Sequence, residues 1–170
     1  MSGRSILFLD LATTTGWAEG EPGERAVCGT VRLAPKGGTP GAIGAGLMDF
    51  LVPRLKAFLP ARLVYESPFI NKSNANTSRI TWGLGLITET IAHRFGVTCL
   101  EANLNTIRKE MLGFVPRGEG VKQAVISHVR ALGYEPADDH AADALLGWMF
   151  ACSALDPGSA LKTTPLFADA

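Results

Sequence analysis

SILFLDL, residues 5–11, places four apolar side chains, Ile6, Leu7, Phe8 and Leu9, directly before a carboxylate, Asp10. An unbroken apolar run of this length reads as a strand covered on both faces. A carboxylate at the end of such a strand is costly unless it is paired or holds a cation. Its plainer use is to cap the turn through Thr13 to Thr15. The pattern recurs where Leu63, Val64 and Tyr65 precede Glu66, and the Ser67 and Pro68 that follow turn the backbone out of the strand. Alone, Glu66 reads as a salt-bridged edge residue; two strand-end acids are rarer than one. A third group, Asp138, Asp139, His140 and Asp143, opens the late apolar segment. Helix capping and the helix dipole suffice for Asp138. They explain Asp143 less well, because Ala144, Leu145, Leu146 and Trp148 follow it and bring it close to the face that packs on the sheet. His140 and Asp143 are three apart and project to the same side.

Working outward, residues 27–33 form a second strand, joined to the first by a hairpin-like connection over the Gly-rich stretch 16–23. Residues 34–46, rich in Gly and Pro, read as a loop. Leu47, Phe50, Leu51, Leu55 and Phe58 have helical spacing over 45–58, closed by Pro60. A short strand at 63–66 and a polar loop at 71–76 come next. Then follow a helix over 77–95 stopped by Gly96, a strand at 97–101, a helix over 103–112, a loop at 113–120, a helix over 121–132 and a last helix from about 138 to 155. Strands first, then strand and helix alternating, make an α/β fold whose sheet mixes antiparallel and parallel pairs. Residues 1–155 form one domain, and 156–170 a weakly ordered tail.

With 170 residues, 46% hydrophobic, the chain suits one domain with a full core. Sixteen basic residues balance sixteen acidic ones, so net charge decides nothing about partners. The distribution says more: from Arg54 to Arg130 eleven basic residues face five acidic ones, an excess of six. The middle can bind a polyanion while a metal sits among the acids nearer the ends. Equally, these bases can be ordinary solvated positions, since they form no dense run. Cys28, Cys99 and Cys152 lie far apart without a CxxC pair, against a zinc site or a disulfide framework. The run 6–9 is too brief for a signal peptide. The segment 144–155 falls short of the ~20 residues that cross a bilayer. A soluble, cytoplasmic protein is expected.

Hard oxygen ligands with little sulfur suit Mg²⁺, with Mn²⁺ as a substitute, better than zinc. Two such ions roughly 4 Å apart activate water and steady the leaving oxygen of a phosphodiester. His140 can ligate, or carry a proton, since an unperturbed imidazole titrates at about 6.5.

The sequence resembles the RuvC family of Holliday junction resolvases, within the ribonuclease H-like superfamily. The matching pieces are ILFLD at 6–10 with TG at 15–16, VYESPF at 64–69, GVK at 120–122 and DHAADAL at 139–145. They occur in family order over nearly the whole chain to about residue 153, and the last is the most specific. The resemblance implies a ribonuclease H-like fold, a mixed central sheet flanked by helices. It implies that Asp10, Glu66 and Asp143 are catalytic metal ligands and that His140 holds the fourth ligand position, with Asp139 as an assisting neighbour. Arg108 and Lys122 fall where members carry basic residues facing the scissile strand, and Phe69 matches an aromatic that stacks on an unpaired base at the junction centre. The implied activity is a crossover junction endodeoxyribonuclease of recombination and repair. It would act as a homodimer on four-way branched DNA, with two Mg²⁺ per site. Where many members have Pro-Gly after the first Asp, this chain has Leu11 and Ala12, which points to a divergent branch, a phage-type member being one candidate.

The residues themselves agree in places. Phe69 is an aromatic beside a Pro in a polar loop. Lys122 at a helix start has the wrong charge for the dipole, which favours a phosphate-facing purpose; Arg108 on an amphipathic helix fits a solvated face as well. Gly83 and Gly85 within the 77–95 helix each cost about 1 kcal/mol against alanine. Close approach explains them, either to a second copy, as the family's two-fold dimer implies, or to the helix's own sheet. Three other readings stand beside the resolvase: a nuclease of the same fold acting on other branches, flaps or RNA; a non-catalytic junction-binding module; and a phosphate-handling ATPase of the actin and sugar-kinase type. The ATPase reading rests on Asp10 followed by Thr13, Thr14, Thr15 and Gly16, but 170 residues hold only one copy of a fold those proteins duplicate.

Overall fold

The structure, a computed structural model, describes residues 4–68, 75–114 and 120–158. The strands are β1 (Ile6–Asp10), β2 (Thr14–Gly20), β3 (Val27–Arg32), β4 (Arg62–Glu66) and β5 (Thr98–Ala102). The helices are α1 (Pro40–Ala57), α2 (Ala75–Phe95), α3 (Leu104–Leu112), α4 (Gly120–Ala131) and α5 (Asp139–Leu155). One five-stranded sheet runs in the order β3-β2-β1-β4-β5. Strands β1 to β3 are antiparallel neighbours, while β1, β4 and β5 are parallel. This is the mixed α/β arrangement expected from the alternation of elements.

Period-two alternation sorts β1 between two cores. Leu7 and Leu9 pack with Leu47, Leu51 and Leu55 of α1 and with Leu84 and Ile91 of α2. Ile6 and Phe8 pack on the other face with Leu145, Trp148 and Met149 of α5. Helix α5 is buried nearly all round because α3 and α4 cover its outer side. Three helix starts are chemically specified. Thr39 accepts from the Ala42 amide and Pro40 occupies the first turn of α1; Asn103 caps α3, and Asp138 accepts from the Ala141 amide at α5.

Two expectations are corrected. The stretch 16–23 is mostly strand β2 rather than a connection, and α1 starts at Pro40, inside the expected loop. The glycines of β2 answer to packing: a Cβ on Gly16 would lie 2.0 Å from the carbonyl oxygen of His140, so only glycine lets α5 cross the strand there. About two turns further along α5, Gly147 permits the close approach to β1, since its Cβ would stand 2.2 Å from the Phe8 ring.

Candidate active site

Parallel pairing brings the two strand-end acids together. Leu9 sits opposite Tyr65, so one residue further on Asp10 faces Glu66 across neighbouring strands about 4.8 Å apart. Both share the parity of Phe8 and Val64 and therefore point to the α5 face. Asp10 also pairs with Gly16, against which the His140 backbone lies. The start of α5 is thus held beside Asp10, and Nδ1 of His140 stands 3.3 Å from Oδ2 of Asp10.

The electrostatics of this corner are those of crowded negative charge. Burial, then repulsion from Asp10 and Asp143, pushes the Glu66 carboxyl up to about 8, and a hydrogen bond with Asp10 further favours its protonated form. Burial and then Asp10 push Asp143 up to about 6. The Asp10 hydrogen bond raises His140, against the effect of its burial. Lys122 pairs with Asp139 and holds that carboxyl below its ordinary range.

Arg108 is the internal cation. Its guanidinium stands 3.9 Å from Oδ1 of Asp143, and the two side chains are only 16% and 20% exposed. It opposes the rise of both Glu66 and Asp143. Yet Arg108 Nε and Asp143 Oδ1 are buried without a hydrogen-bond partner among the described residues. Buried polar atoms of this kind call for an explanation; a cation would satisfy the Asp143 oxygen, and an anionic oxygen the Arg108 donor. As they stand, no three acidic or imidazole groups among the described residues close tightly enough to grip a metal. In charge, orphaned oxygen and hard donor type, however, the residues fit a divalent cation of the Mg²⁺ or Mn²⁺ class.

The sequence-derived candidates Asp10, Glu66, Asp139, His140, Asp143, Arg108 and Lys122 therefore gather at one end of the sheet. Arg108, for which a solvated face was an equal reading, is buried against Asp143 instead. Lys122 is 71% exposed and approaches from outside. Phe69 lies outside the described residues, as does the tail from residue 159. Sequence reasoning missed the part played by Gly16. Its signal was masked, because in sequence a glycine six residues after Asp10 reads as a turn former.

No protein-family model matches the sequence, and no curated protein matches it. Solved structures do. The chain is similar to Thermus thermophilus RuvC in complex with a Holliday junction substrate, at 17% identity and a TM-score of 0.69, over 89% of this chain and 95% of that one. Another structure of Thermus thermophilus RuvC matches at 18% identity and a TM-score of 0.64, over 91% and 97%. The yeast mitochondrial Holliday junction resolvase Ydc2 matches at 12% and 0.64, over 89% and 80%. These likenesses establish the fold: a RuvC-like, ribonuclease H-like α/β domain.

Proposed function

We propose that this chain is a metal-dependent endonuclease that resolves four-way DNA junctions as a homodimer. The observation that carries the reading is the gathering of Asp10, Glu66 and Asp143, with the Glu66 carboxyl pushed up to about 8 by burial and then by the charges of Asp10 and Asp143. Burying mutually repelling carboxylates is costly, and a bound cation relieves that cost. Asp10, Glu66 and Asp143 would hold Mg²⁺, with His140 at the margin of the set and Asp139 beside it. Bound there, the ions would supply an activated water and charge stabilisation at the phosphodiester.

The chain's own residues do the rest. With Nδ1 directed at Asp10, His140 keeps its other ring nitrogen for passing a proton to the leaving oxygen. Arg108, from inside, and Lys122, from the exposed rim, bind the backbone on either side of the scissile bond. Phe69, next in sequence to the Pro68 that ends the Glu66 strand, would stack on an unpaired base.

Dimerisation is supported by α2. Trp82 and Leu86 are 51% and 66% exposed, and a Cβ on Gly83 between them would meet nothing. Gly85, by contrast, packs on Tyr65 and Pro68 of its own subunit. A two-fold pair joined there could present two sites to a near two-fold junction. Among the described residues no helix is long and apolar enough to cross a membrane.

The test uses labelled four-way, three-way, flap and RNA–DNA hybrid substrates with Mg²⁺. The four-way junction should be cut fastest, and Asp10→Asn should bind it without cutting. Preferential cutting of flaps or hybrids would transfer the site to another nuclease class; undiminished cutting by Asp10→Asn would remove it from the chemistry.

A further inference from the structure

The sheet edge that carries the candidate site continues past it. Strand β3 ends at Arg32, paired with Thr14, while Asp10 pairs with Gly16 on the same strand β2. Arg32 is therefore two strands across and two residues along from Asp10, about 12 Å by ordinary strand spacings. An amide of the next residue, Leu33, donates to the Thr13 carbonyl at 3.0 Å and fixes the β3 end to the β1–β2 turn.

A cavity of about 230 Å³ opens at this place, between Thr13, Arg32, Lys36 and the side chains of Ile43 and Ile80. Among the described residues no acidic side chain lines it. Arg32 and Lys36 are exposed, and among the described residues neither has a carboxylate partner. The Arg32 Nε donates to the Ala34 carbonyl at 3.1 Å, which orients the guanidinium without neutralising it. Arg54, Lys122 and Arg130 are each matched by a carboxylate, Glu19, Asp139 and Glu135; Arg32 and Lys36 differ from other exposed cations, such as Lys56 and Arg94, in lining one cavity together. Two unpaired cations and a hydroxyl around an open groove fit a phosphodiester anion.

We infer that this groove is a second backbone-phosphate site. It takes the nucleic-acid strand as it leaves the α5 face, crosses the sheet edge and passes toward α1 and α2. Successive phosphates of one strand are spaced through space by about twice the ~3.4 Å axial rise, so 12 Å places the contacted phosphate roughly two nucleotides from the scissile bond. The inference rests on the nuclease reading above and adds to it a determinant of how a DNA arm is held.

The test measures binding of a fluorescent four-way junction in EDTA, where nothing is cut, across a salt series. Arg32→Ala with Lys36→Ala is compared with Lys56→Ala with Arg94→Ala, which removes two exposed cations from the far ends of α1 and α2. Each phosphate contact contributes a log–log salt slope of about 0.9, or roughly eightfold in affinity at 0.1 M salt. The groove variant should bind eight- to sixtyfold more weakly, roughly, with a slope shallower by about 1 to 2, and melt like the parent. Equal losses in the two double variants, or none in the groove variant, would overturn the site. A parent protein that binds no branched DNA would instead overturn the nuclease reading from which the site follows.

Discussion

Removing the charge of Glu66 should stabilise this protein when divalent metal is absent. Most buried carboxylates do the opposite, because a partner holds their folded pKa low. Here the folded value lies at about 8 against an ordinary 4.5, through burial and the repulsion of Asp10 and Asp143. The sign follows from linkage: the folded state binds the proton more tightly than the unfolded chain, so the contribution is fully present below about 4.5 and is lost as pH rises through about 8. A shift of that size corresponds to about 5 kcal/mol as an upper figure. Glu66→Gln still buries a polar amide, which takes back a share, so the gain at pH 8 should be about 3 kcal/mol. For a chain of this length that raises the melting temperature by roughly 6–12 °C. Thermal unfolding of both proteins in EDTA at pH 5 and pH 8 measures it: similar stability at pH 5, the variant higher at pH 8. Mg²⁺ at a thousandfold excess over Kd should then reverse the order, since only the intact site gains the binding term, about 4.1 kcal/mol, which exceeds the variant's lead. A variant less stable than the parent at pH 8 in EDTA would refute the picture of mutually repelling acids.

Arg108→Gln should tighten binding of Mn²⁺ to the DNA-free protein several-fold, by titration calorimetry, because it removes the cation that offsets Asp143 and Glu66; weaker binding would show the guanidinium to be a scaffold and not a counter-charge. Gly147→Ala drives a methyl into the Phe8 ring, and overpacking of this kind costs about 1–3 kcal/mol, which chemical denaturation would register. Gly16→Ala must displace the His140 carbonyl, so it should abolish stabilisation by Mg²⁺ as well as lower the melting temperature. Leu86→Lys on the exposed face of α2 should yield monomers in sedimentation, with Mg²⁺ stabilisation of each site intact.

The acids could be found from sequence because strand ends impose their own logic: an apolar run followed by a carboxylate marks where a sheet edge meets solvent or an ion, and parallel pairing of two such strands juxtaposes them. The DHAADAL stretch was legible for a related reason, as capping at Asp138 left the inward acid at 143 unexplained. Glycine is where reading by residue type failed. In sequence, Gly16 and Gly20 look like turn formers; in the fold they are strand residues emptied of side chains so that α5 can lie on β2, with His140 against the first and Trp148 against the second. The same ambiguity hid the start of α1, where Gly37 and Gly38 belong to the turn but Pro40 and Gly41 already belong to the helix. Arg108 shows the limit from the charged side, because helical spacing gives the face a residue occupies and not what lies opposite it. What α5 lies against sets the burial of Asp143, and the burial of Asp143 decides whether Arg108 is a solvated cation or the counter-charge of the site. Local pattern therefore identifies the ligands, whereas their mutual charge depends on a helix-to-sheet approach written in the residues that are absent.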